Sequence, residues 1–174
     1  QNLITSTMLD GDILLQKAIK KDRKFLILNP KKNIKTNKVK IFKNFVRRRQ
    51  KGEPISYIIN KKEFWNNNFY INSDVLIPRP DSETLVEQVL KIYDKSAKKN
   101  VLDIGTGSGC LLLAILKERE NFFGTGIDIS KKALNVASFN AKVHQLGNRV
   151  KFYNSDIDKF LLGKYDIIIS NPPY

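Results

Sequence analysis

The sequence predicts an α/β fold with a parallel sheet, preceded by a small helical domain and a β-hairpin linker. From residue 81 to residue 174, short apolar runs alternate with segments of helical spacing, the pattern of strands joined by crossover helices. A glycine-rich turn joins the first of these strands to its helix, which is typical of Rossmann-like nucleotide-binding domains. The chain has 174 residues, which is enough to bury a substantial core.

The first domain is predicted to be helical and to cover residues 1–52. Apolar residues recur there at helical spacing in two segments: Leu9, Ile13, Leu14 and Ala18, then Val39, Ile41, Phe42, Phe45 and Val46. Asn29 and Pro30 break the chain between the two segments, and Gly52 ends the second. We expect these apolar faces to form a core.

Residues 53–80 are predicted to form a β-hairpin linker with strands over 55–59 and 63–71. Asn60 lies at the predicted turn, where asparagine tolerates a positive φ. The third domain, residues 81–174, begins with a predicted helix from Asp81 to about Tyr93. The apolar residues expected on its inward face are Leu85, Val86, Val89 and Leu90.

The glycine-rich turn follows a predicted strand over residues 101–104 and precedes a helix over residues 110–116. A dinucleotide fingerprint would have Gly or Ala at position 110, where this chain has Cys110. The observed pattern is Asp-x-Gly-x-Gly-x-Gly, from Asp103 through Gly105, Thr106 and Gly107 to Gly109. It favours S-adenosylmethionine over NAD, because that cofactor has no pyrophosphate to hold. A glycine-rich turn without a ligand is the alternative.

Two further aspartates follow predicted strands. Asp128 ends the strand over residues 122–127, 19 residues after Gly109, where a carboxylate can accept hydrogen bonds from both ribose hydroxyls. Ser130 is predicted to cap a helix that runs to about Leu146. Asp156 follows the strand over residues 149–153, and we expect it to accept from an adenine amino group. Gly147 is the predicted stop of the intervening helix.

The last predicted strand, residues 165–170, runs into Asn171-Pro172-Pro173-Tyr174. This tetrapeptide suits the methylation of a planar nitrogen, whose delocalised lone pair makes it a poor nucleophile. The Asn171 side-chain oxygen and the Pro172 carbonyl can accept from an NH₂ group, and the two prolines hold these acceptors in place. Tyr174 can stack on the flat target group. The alternative is a Pro-Pro turn that only ends a strand.

The composition excludes several classes of protein. A single cysteine excludes a disulfide framework and a cysteine zinc site, and no metal is expected. His144, the single histidine, is expected at the surface or at a helix end. No apolar run approaches the ~20 residues of a membrane helix, so we expect no membrane and a cytoplasmic location.

Positive charge is concentrated in the first domain. Residues 1–52 hold 15 Lys and Arg against 3 Asp, a net charge of +12, while residues 53–174 hold 16 against 14, a net charge of +2. This asymmetry indicates an acidic partner or a nucleic acid for the first domain. A coding bias toward Lys, Asn and Ile is the alternative.

Several motifs resemble those of the HemK/PrmC family, the glutamine N5-methyltransferases of peptide chain release factors. The linker motifs are Gly52-Glu53-Pro54-Ile55-Ser56-Tyr57, Glu63-Phe64-Trp65 and Leu76-Ile77-Pro78-Arg79-Pro80-Asp81-Ser82-Glu83. Residues 103–109 and 171–174 resemble the cofactor and catalytic motifs of the family. Residues 171–174 alone are also similar to motifs of nucleic-acid amino-methyltransferases. The resemblance covers roughly residue 9 to the end.

The resemblance implies an S-adenosylmethionine-dependent transfer of a methyl group to the glutamine of a Gly-Gly-Gln loop. It implies that residues 1–52 dock the release factor, that residues 171–174 are catalytic, and that Arg79 borders the methionine end of the cofactor. Family members extend beyond residue 174, so we expect a fragment that stops within the active site, with an unpaired edge strand. We expect a monomer.

Two alternatives remain. The first is a DNA or RNA amino-methyltransferase acting on adenine N6 or guanine N2, with residues 1–52 as its nucleic-acid contact. The second is a non-catalytic module that binds the cofactor or docks a partner.

Overall fold

A computed structural model describes the backbone of residues 2–172 and the side chains of residues 8–172. The chain folds into two compact units, Gln1–Asn60 and Lys61–Tyr174. Within the described residues, no helix is long and apolar enough to cross a lipid bilayer.

The first unit is helical, as predicted. Its helices are α1 (Asn2–Ile19), α2 (Arg23–Leu28), α3 (Thr36–Gln50) and α4 (Ile55–Ile59). Leu14 and Ala18 of α1 are buried, as their helical spacing predicts, and Ile58 of α4 is buried as well. Leu9 is exposed and no residue of α3 is buried, so the expectation of a core was wrong for Leu9 and for the apolar face of α3.

The predicted hairpin lies later in the chain than expected. Residues 55–59 form helix α4, and Asn60 ends that helix in the left-handed conformation, with a φ of 53°. The hairpin pairs β1 (Lys62–Phe64) with β2 (Asn67–Phe69). Trp65 and Asn66 form its turn with φ values of 48° and 53°, and a type I′ hairpin turn requires a positive φ at both positions. The positive φ of Asn60 was thus predicted correctly, but the strand over residues 55–59 and the single strand over residues 63–71 were wrong.

The second unit is built on the predicted parallel sheet of four strands. They are β3 (Asn100–Ile104), β4 (Phe123–Asp128), β5 (Val150–Asn154) and β6 (Ile167–Ser170), in the order β5-β4-β3-β6. Neighbouring strands are parallel throughout. The chain moves outward from β3 to β5 and then returns to the other side of β3. Ligands of open α/β sheets bind at such a reversal, outside the carboxyl ends of the strands.

Helices α5 (Glu83–Ile92), α6 (Cys110–Glu118) and α7 (Lys131–Val143) accompany the sheet. Val86 and Val89 of α5 are buried, as predicted. A one-turn 3₁₀ helix, Pro80–Ser82, precedes α5 and occupies the predicted first turn. The three-domain division at residues 52/53 and 80/81 stays a prediction.

Helix α7 ends earlier than predicted. The Ser130 hydroxyl accepts a hydrogen bond from the Ala133 N–H, so the predicted cap is confirmed. At the other end, Gln145 takes a φ of 60° and its N–H bonds to a carbonyl of the last turn. The Leu146 N–H then donates to the Ala141 carbonyl, which completes a Schellman ending. The helix therefore ends before Leu146, which packs as a buried residue beyond it, and the predicted stop at Gly147 was wrong.

Two arginines of the second unit donate hydrogen bonds to backbone carbonyls at helix ends. Arg119 is buried, and its guanidinium donates to the carbonyls of Tyr93 and Leu90 at the end of α5, at 2.7–3.0 Å. Arg149 in turn donates to the Arg119 carbonyl at 3.0 Å. These bonds satisfy carbonyls that a helix cannot satisfy itself.

Trp65 connects the hairpin to two helices. Its backbone N–H donates to the Glu83 carboxylate of α5 at 2.8 Å. Its indole N–H donates to the Glu118 carboxylate at the end of α6, at 3.0 Å. The hairpin is thus fixed to the far end of the helix that begins at the glycine-rich turn.

Candidate active site

The glycine-rich turn lies between β3 and α6. Gly105, Gly107 and Gly109 have φ values of 71°, 54° and 76°, which residues with side chains seldom adopt. A Cβ atom on Gly105 would meet no atom of the described residues within 4 Å, whereas one on Gly109 would lie 3.2 Å from the Cβ of Ala137. Gly105 thus leaves space open at the strand end, and Gly109 allows α6 to start close to α7.

A cavity of about 490 Å³ extends from this turn along the carboxyl edge of the sheet, and its volume is that of a small-molecule site. It brings together six residues predicted for the site: Gly105, Gly107, Asp128, Asp156, Asn171 and Pro172. An adjoining narrow space of about 60 Å³ reaches Asp103 and Thr106. Pro173 and Tyr174 lie outside the described residues.

Asp128 has a fixed orientation at the end of β4. One carboxylate oxygen accepts from the Gly107 N–H at 2.9 Å, and the other accepts from the Ser130 N–H at 2.8 Å. A carboxylate has about four lone-pair sites, so both oxygens can still accept from a ligand. Asp128 therefore joins the glycine-rich turn to the start of α7 and keeps acceptor capacity at the cavity.

Asp156 lies at the same edge, one strand further along. Its carboxylate accepts from the Asp158 N–H at 3.3 Å and caps a short 3₁₀ helix, Ile157–Lys159. Ile129 and Ile157 line the cavity beside the two aspartates, and their exposed fractions are 77% and 43%. Sequence reasoning missed both isoleucines, although each directly follows a strand-end aspartate. Together they offer an apolar surface suited to a flat ring.

Asp103 is buried at the end of β3, with an exposed fraction of only 2%. Burial is the main cause that raises the pKa of its carboxyl to about 7. The Thr106 hydroxyl donates to this carboxyl at 2.7 Å and acts in the opposite direction, while the charge of Asp128 raises the pKa further. The site thus holds a carboxyl that changes charge near neutral pH.

Cys110 follows the turn as the first residue of α6. Burial is the main cause that raises the pKa of its thiol to about 12. The thiol therefore stays protonated at neutral pH, and a thiolate nucleophile is not available at this position.

Asn140 of α7 connects the turn to the segment after the hairpin, a role that sequence reasoning missed. Its side-chain oxygen accepts from the Tyr70 N–H at 2.8 Å, and its nitrogen donates to the Tyr70 and Ser108 carbonyls at 2.9 and 2.8 Å. The side chain is fully buried, and all these hydrogen bonds join it to backbone groups of the same unit. An asparagine on the inward face of an apolar helix is the sequence signal that could have indicated it.

A second cavity, of about 540 Å³, lies beside the first. Its lining includes Arg79, Ser82, Asn171 and Pro172. Arg79 lines this space and neither of the two spaces at the glycine-rich turn. Its expected contact with the methionine end of a cofactor stays a prediction.

Two family models match the chain. The methyltransferase small domain model matches residues 80–174, and the PrmC N-terminal domain model matches residues 1–59.

The chain is also similar to curated proteins over nearly its whole length. It is 42% identical to a release factor glutamine methyltransferase of Coxiella burnetii over 167 residues, which are 95% of this chain and 60% of that protein. It is 41% identical to a release factor glutamine methyltransferase of Clostridium acetobutylicum, over 96% of this chain and 60% of that protein. The chain thus spans about 60% of the length of these relatives.

Among solved structures, the chain is similar to a SAM-dependent methyltransferase from Geobacter sulfurreducens in complex with S-adenosyl-L-homocysteine. The identity is 26%, the TM-score is 0.45, and the match covers 53% of this chain and 36% of that one.

Proposed function

The chain belongs to the HemK/PrmC family of methyltransferases, with a PrmC N-terminal domain ahead of a methyltransferase small domain, and on this basis we propose its function. The protein transfers a methyl group from S-adenosylmethionine to the side-chain amide nitrogen of the glutamine in the Gly-Gly-Gln motif of peptide chain release factors. The names of the relatives support this substrate.

One observation carries the proposal: Asn171 borders the cavity at the glycine-rich turn and the cavity beside it. It lines the 490 Å³ cavity at the glycine-rich turn and the 540 Å³ cavity beside it. A methyl donor in the first cavity and a nitrogen in the second would therefore meet at this side chain. An amide oxygen at such a place accepts hydrogen bonds from an NH₂ group.

The residues around the first cavity fit S-adenosylmethionine. The open backbone at Gly105 and Gly107 admits the methionine part, and the Asp128 carboxylate has acceptor capacity for the two ribose hydroxyls. Asp156 can accept from the adenine amino group, and Ile129 and Ile157 can cover the faces of the ring. When bound, this cofactor supplies an electrophilic methyl group on a positively charged sulfur.

The residues of the chain bind and orient, and none has to form a covalent bond. Asn171 and the Pro172 carbonyl would hold the target NH₂ group and orient it toward the first cavity, because transfer requires the reacting groups to be close and aligned. The predicted stacking on the amide plane of the target concerns Tyr174, which lies outside the described part of the chain. The nitrogen becomes more acidic as it is methylated, so its proton leaves to water without a strong base.

The protein works as a monomer in the cytoplasm.

Residues 1–52 dock the release factor. The charge of +12 on these residues steers the partner, while apolar helix surfaces hold it. Added salt should therefore slow the association with the release factor but leave most of the binding affinity. Nucleic-acid binding would instead weaken steeply over the same range, because counterion release dominates it.

The test uses the protein at the full length of its relatives with methyl-labelled S-adenosylmethionine. Release factor, duplex DNA and tRNA are offered separately. We expect label only on release factor, and none on a release factor whose Gly-Gly-Gln glutamine is replaced by alanine. Label on DNA or tRNA with none on release factor would overturn the proposal and favour a nucleic-acid amino-methyltransferase.

A further inference from the structure

The Asn171 side chain is held by a residue far away in the sequence. Its amide nitrogen donates a hydrogen bond of 2.9 Å to the Ser82 hydroxyl oxygen. Ser82 ends the 3₁₀ turn that leads into α5, and its backbone N–H donates to the Arg79 carbonyl at 3.1 Å. The serine is therefore anchored by its own backbone before it meets Asn171.

The Ser82 hydroxyl has no role in capping the helix it precedes. Serine at a helix N-cap usually accepts from the backbone N–H groups of the first turn. Ser82 is the N-cap of α5, yet it has helical backbone angles and its side chain makes no such bond. The hydroxyl is directed to Asn171 instead, so helix capping does not explain a serine here.

In the structure, the bond to Ser82 engages the nitrogen end of the Asn171 amide. A carboxamide has a donor end, the NH₂ group, and an acceptor end, the oxygen. With the nitrogen bonded to Ser82, the oxygen is the end available to an incoming group. An oxygen accepts from an N–H and repels a carbonyl or carboxylate oxygen. If the amide were reversed, the site would favour a ligand oxygen.

The pair also stands where the proposed reaction takes place. Ser82 and Asn171 both line the narrow space that holds Asp103, and both line the 540 Å³ cavity with Arg79. They thus form a wall common to the two spaces. A rotation of the Asn171 amide would change the surface that both spaces present.

We propose that Ser82 is a positioning residue that holds the Asn171 side chain in place at this wall, with the amide oxygen available to a target N–H. This inference rests on the proposed function, because it assigns Asn171 to the target nitrogen. Ser82 does not touch the reacting atoms. Its hydroxyl holds the nitrogen of Asn171, so that the Asn171 oxygen faces the target NH₂ group.

The experiment compares Ser82→Ala, which removes the hydroxyl, with Ser82→Thr, which keeps it. Ser138→Ala, on the exposed face of α7, is the matched control. In the full-length protein, we expect Ser82→Ala to lower kcat for release factor by about tenfold to a hundredfold, with cofactor affinity and melting temperature unchanged. Ser82→Thr should keep most of the activity, and Ser138→Ala all of it.

A second readout is independent of the substrate. In ¹⁵N-labelled protein, the Asn171 side-chain NH₂ signals, assigned by their loss in Asn171→Asp, should move on Ser82→Ala and stay near their place in Ser82→Thr. Signals that do not move in Ser82→Ala would overturn the inference, as would an unchanged kcat. If the wild-type protein methylates tRNA and not release factor, the proposed function fails, and the same variants test Ser82 on that nitrogen target.

Discussion

The hydroxyl of Thr106 donates a 2.7 Å hydrogen bond to the carboxyl of Asp103, and both residues are buried where β3 meets the glycine-rich turn. The bond stabilises the charged form of the carboxyl, but burial outweighs it and raises the pKa to about 7. The end of β3 therefore holds a group whose proton is retained in the folded protein at pH values where an unfolded chain would lose it.

We expect this carboxyl to make folding stability fall as pH rises. Its pKa is about 7 when folded and about 3.9 when unfolded, so its stabilising contribution is complete below about pH 4 and is lost as the pH rises through 7. The free energy of unfolding of Asp103→Asn, compared with that of wild type at the same pH, should therefore rise by roughly 1–3 kcal/mol when the pH is raised from 5 to 8. Urea unfolding at the two pH values measures this, with Glu120→Gln as an exposed control. Parallel profiles for wild type and Asp103→Asn would contradict the assignment.

Cofactor affinity should depend on Asp128. Its carboxylate fixes the turn through the Gly107 N–H and keeps acceptor capacity for ribose hydroxyls. Asp128→Ala should weaken S-adenosylmethionine binding by roughly 1.5–3 kcal/mol in calorimetry, because a charge-assisted acceptor is lost. Glu120→Ala, a carboxylate lost away from the cavity, should bind normally. An unchanged affinity in Asp128→Ala would remove this residue from the site.

Asn140→Ala should destabilise the second unit and loosen the glycine-rich turn. It would leave three backbone groups without their partner, the buried Ser108 carbonyl and the partly buried N–H and carbonyl of Tyr70, and a fully buried group costs about 1–3 kcal/mol. Hydrogen exchange should accelerate at Tyr70 and in the turn, and cofactor affinity should fall. Asn135→Ala, the same change on the exposed face of α7, is the matched control. Equal stability of the two variants would show that the Asn140 hydrogen bonds contribute little to the stability of the second unit.

Gly126 of β4 should not tolerate a side chain. A Cβ atom there would lie 2.7 Å from the ring of Phe152 and 3.0 Å from the Thr106 hydroxyl oxygen. Gly126→Ala should cost roughly 1–3 kcal/mol of unfolding free energy, because both neighbours must move. Gly147→Ala is the control, since its Cβ atom would meet no atom of residues 2–172 within 4 Å. If chemical denaturation gives the same unfolding free energy for the two variants, the Phe152 ring moves aside at little cost, contrary to this prediction.

Arg119→Met should destabilise the second unit by roughly 2–4 kcal/mol, because the carbonyls at the end of α5 lose a charged donor. Arg119→Lys should be intermediate, since an ammonium group cannot reproduce the planar fork of the guanidinium. Lys98→Met, at an exposed position, controls for the loss of a positive charge. Melting temperatures compare the three variants, and an Arg119→Met as stable as the control would contradict the capping role.

The parallel sheet and most residues at its carboxyl edge could be predicted, because each is indicated by a short stretch of sequence. Asp103 and Asp128 lie at the carboxyl ends of β3 and β4, Asp156 follows β5, and the carboxyl ends of parallel strands meet at one edge. A residue's place along the chain was therefore enough to predict its place in the cavity. The predicted roles of these aspartates, and of Asn171 and Arg79, stay predictions.

Ser82 and Asn140 could not be predicted in the same way. Their partners Asn171 and Tyr70 lie 89 and 70 residues away, so no local pattern connects them. The misplaced hairpin has a different cause. The segment 55–59 is rich in β-branched residues, but burial of Ile58 in the helical unit outweighs that preference.

The position of Trp65 makes tryptophan fluorescence a probe of one unit of the chain. It is the single tryptophan of the chain, and it lies in the second unit, hydrogen-bonded to Glu83 and Glu118. Its fluorescence therefore reports the unfolding of the second unit alone, whereas far-ultraviolet circular dichroism also follows the helices of the first. One melting experiment with both probes can thus separate the two units without any label, and coincident curves would mean that they unfold together.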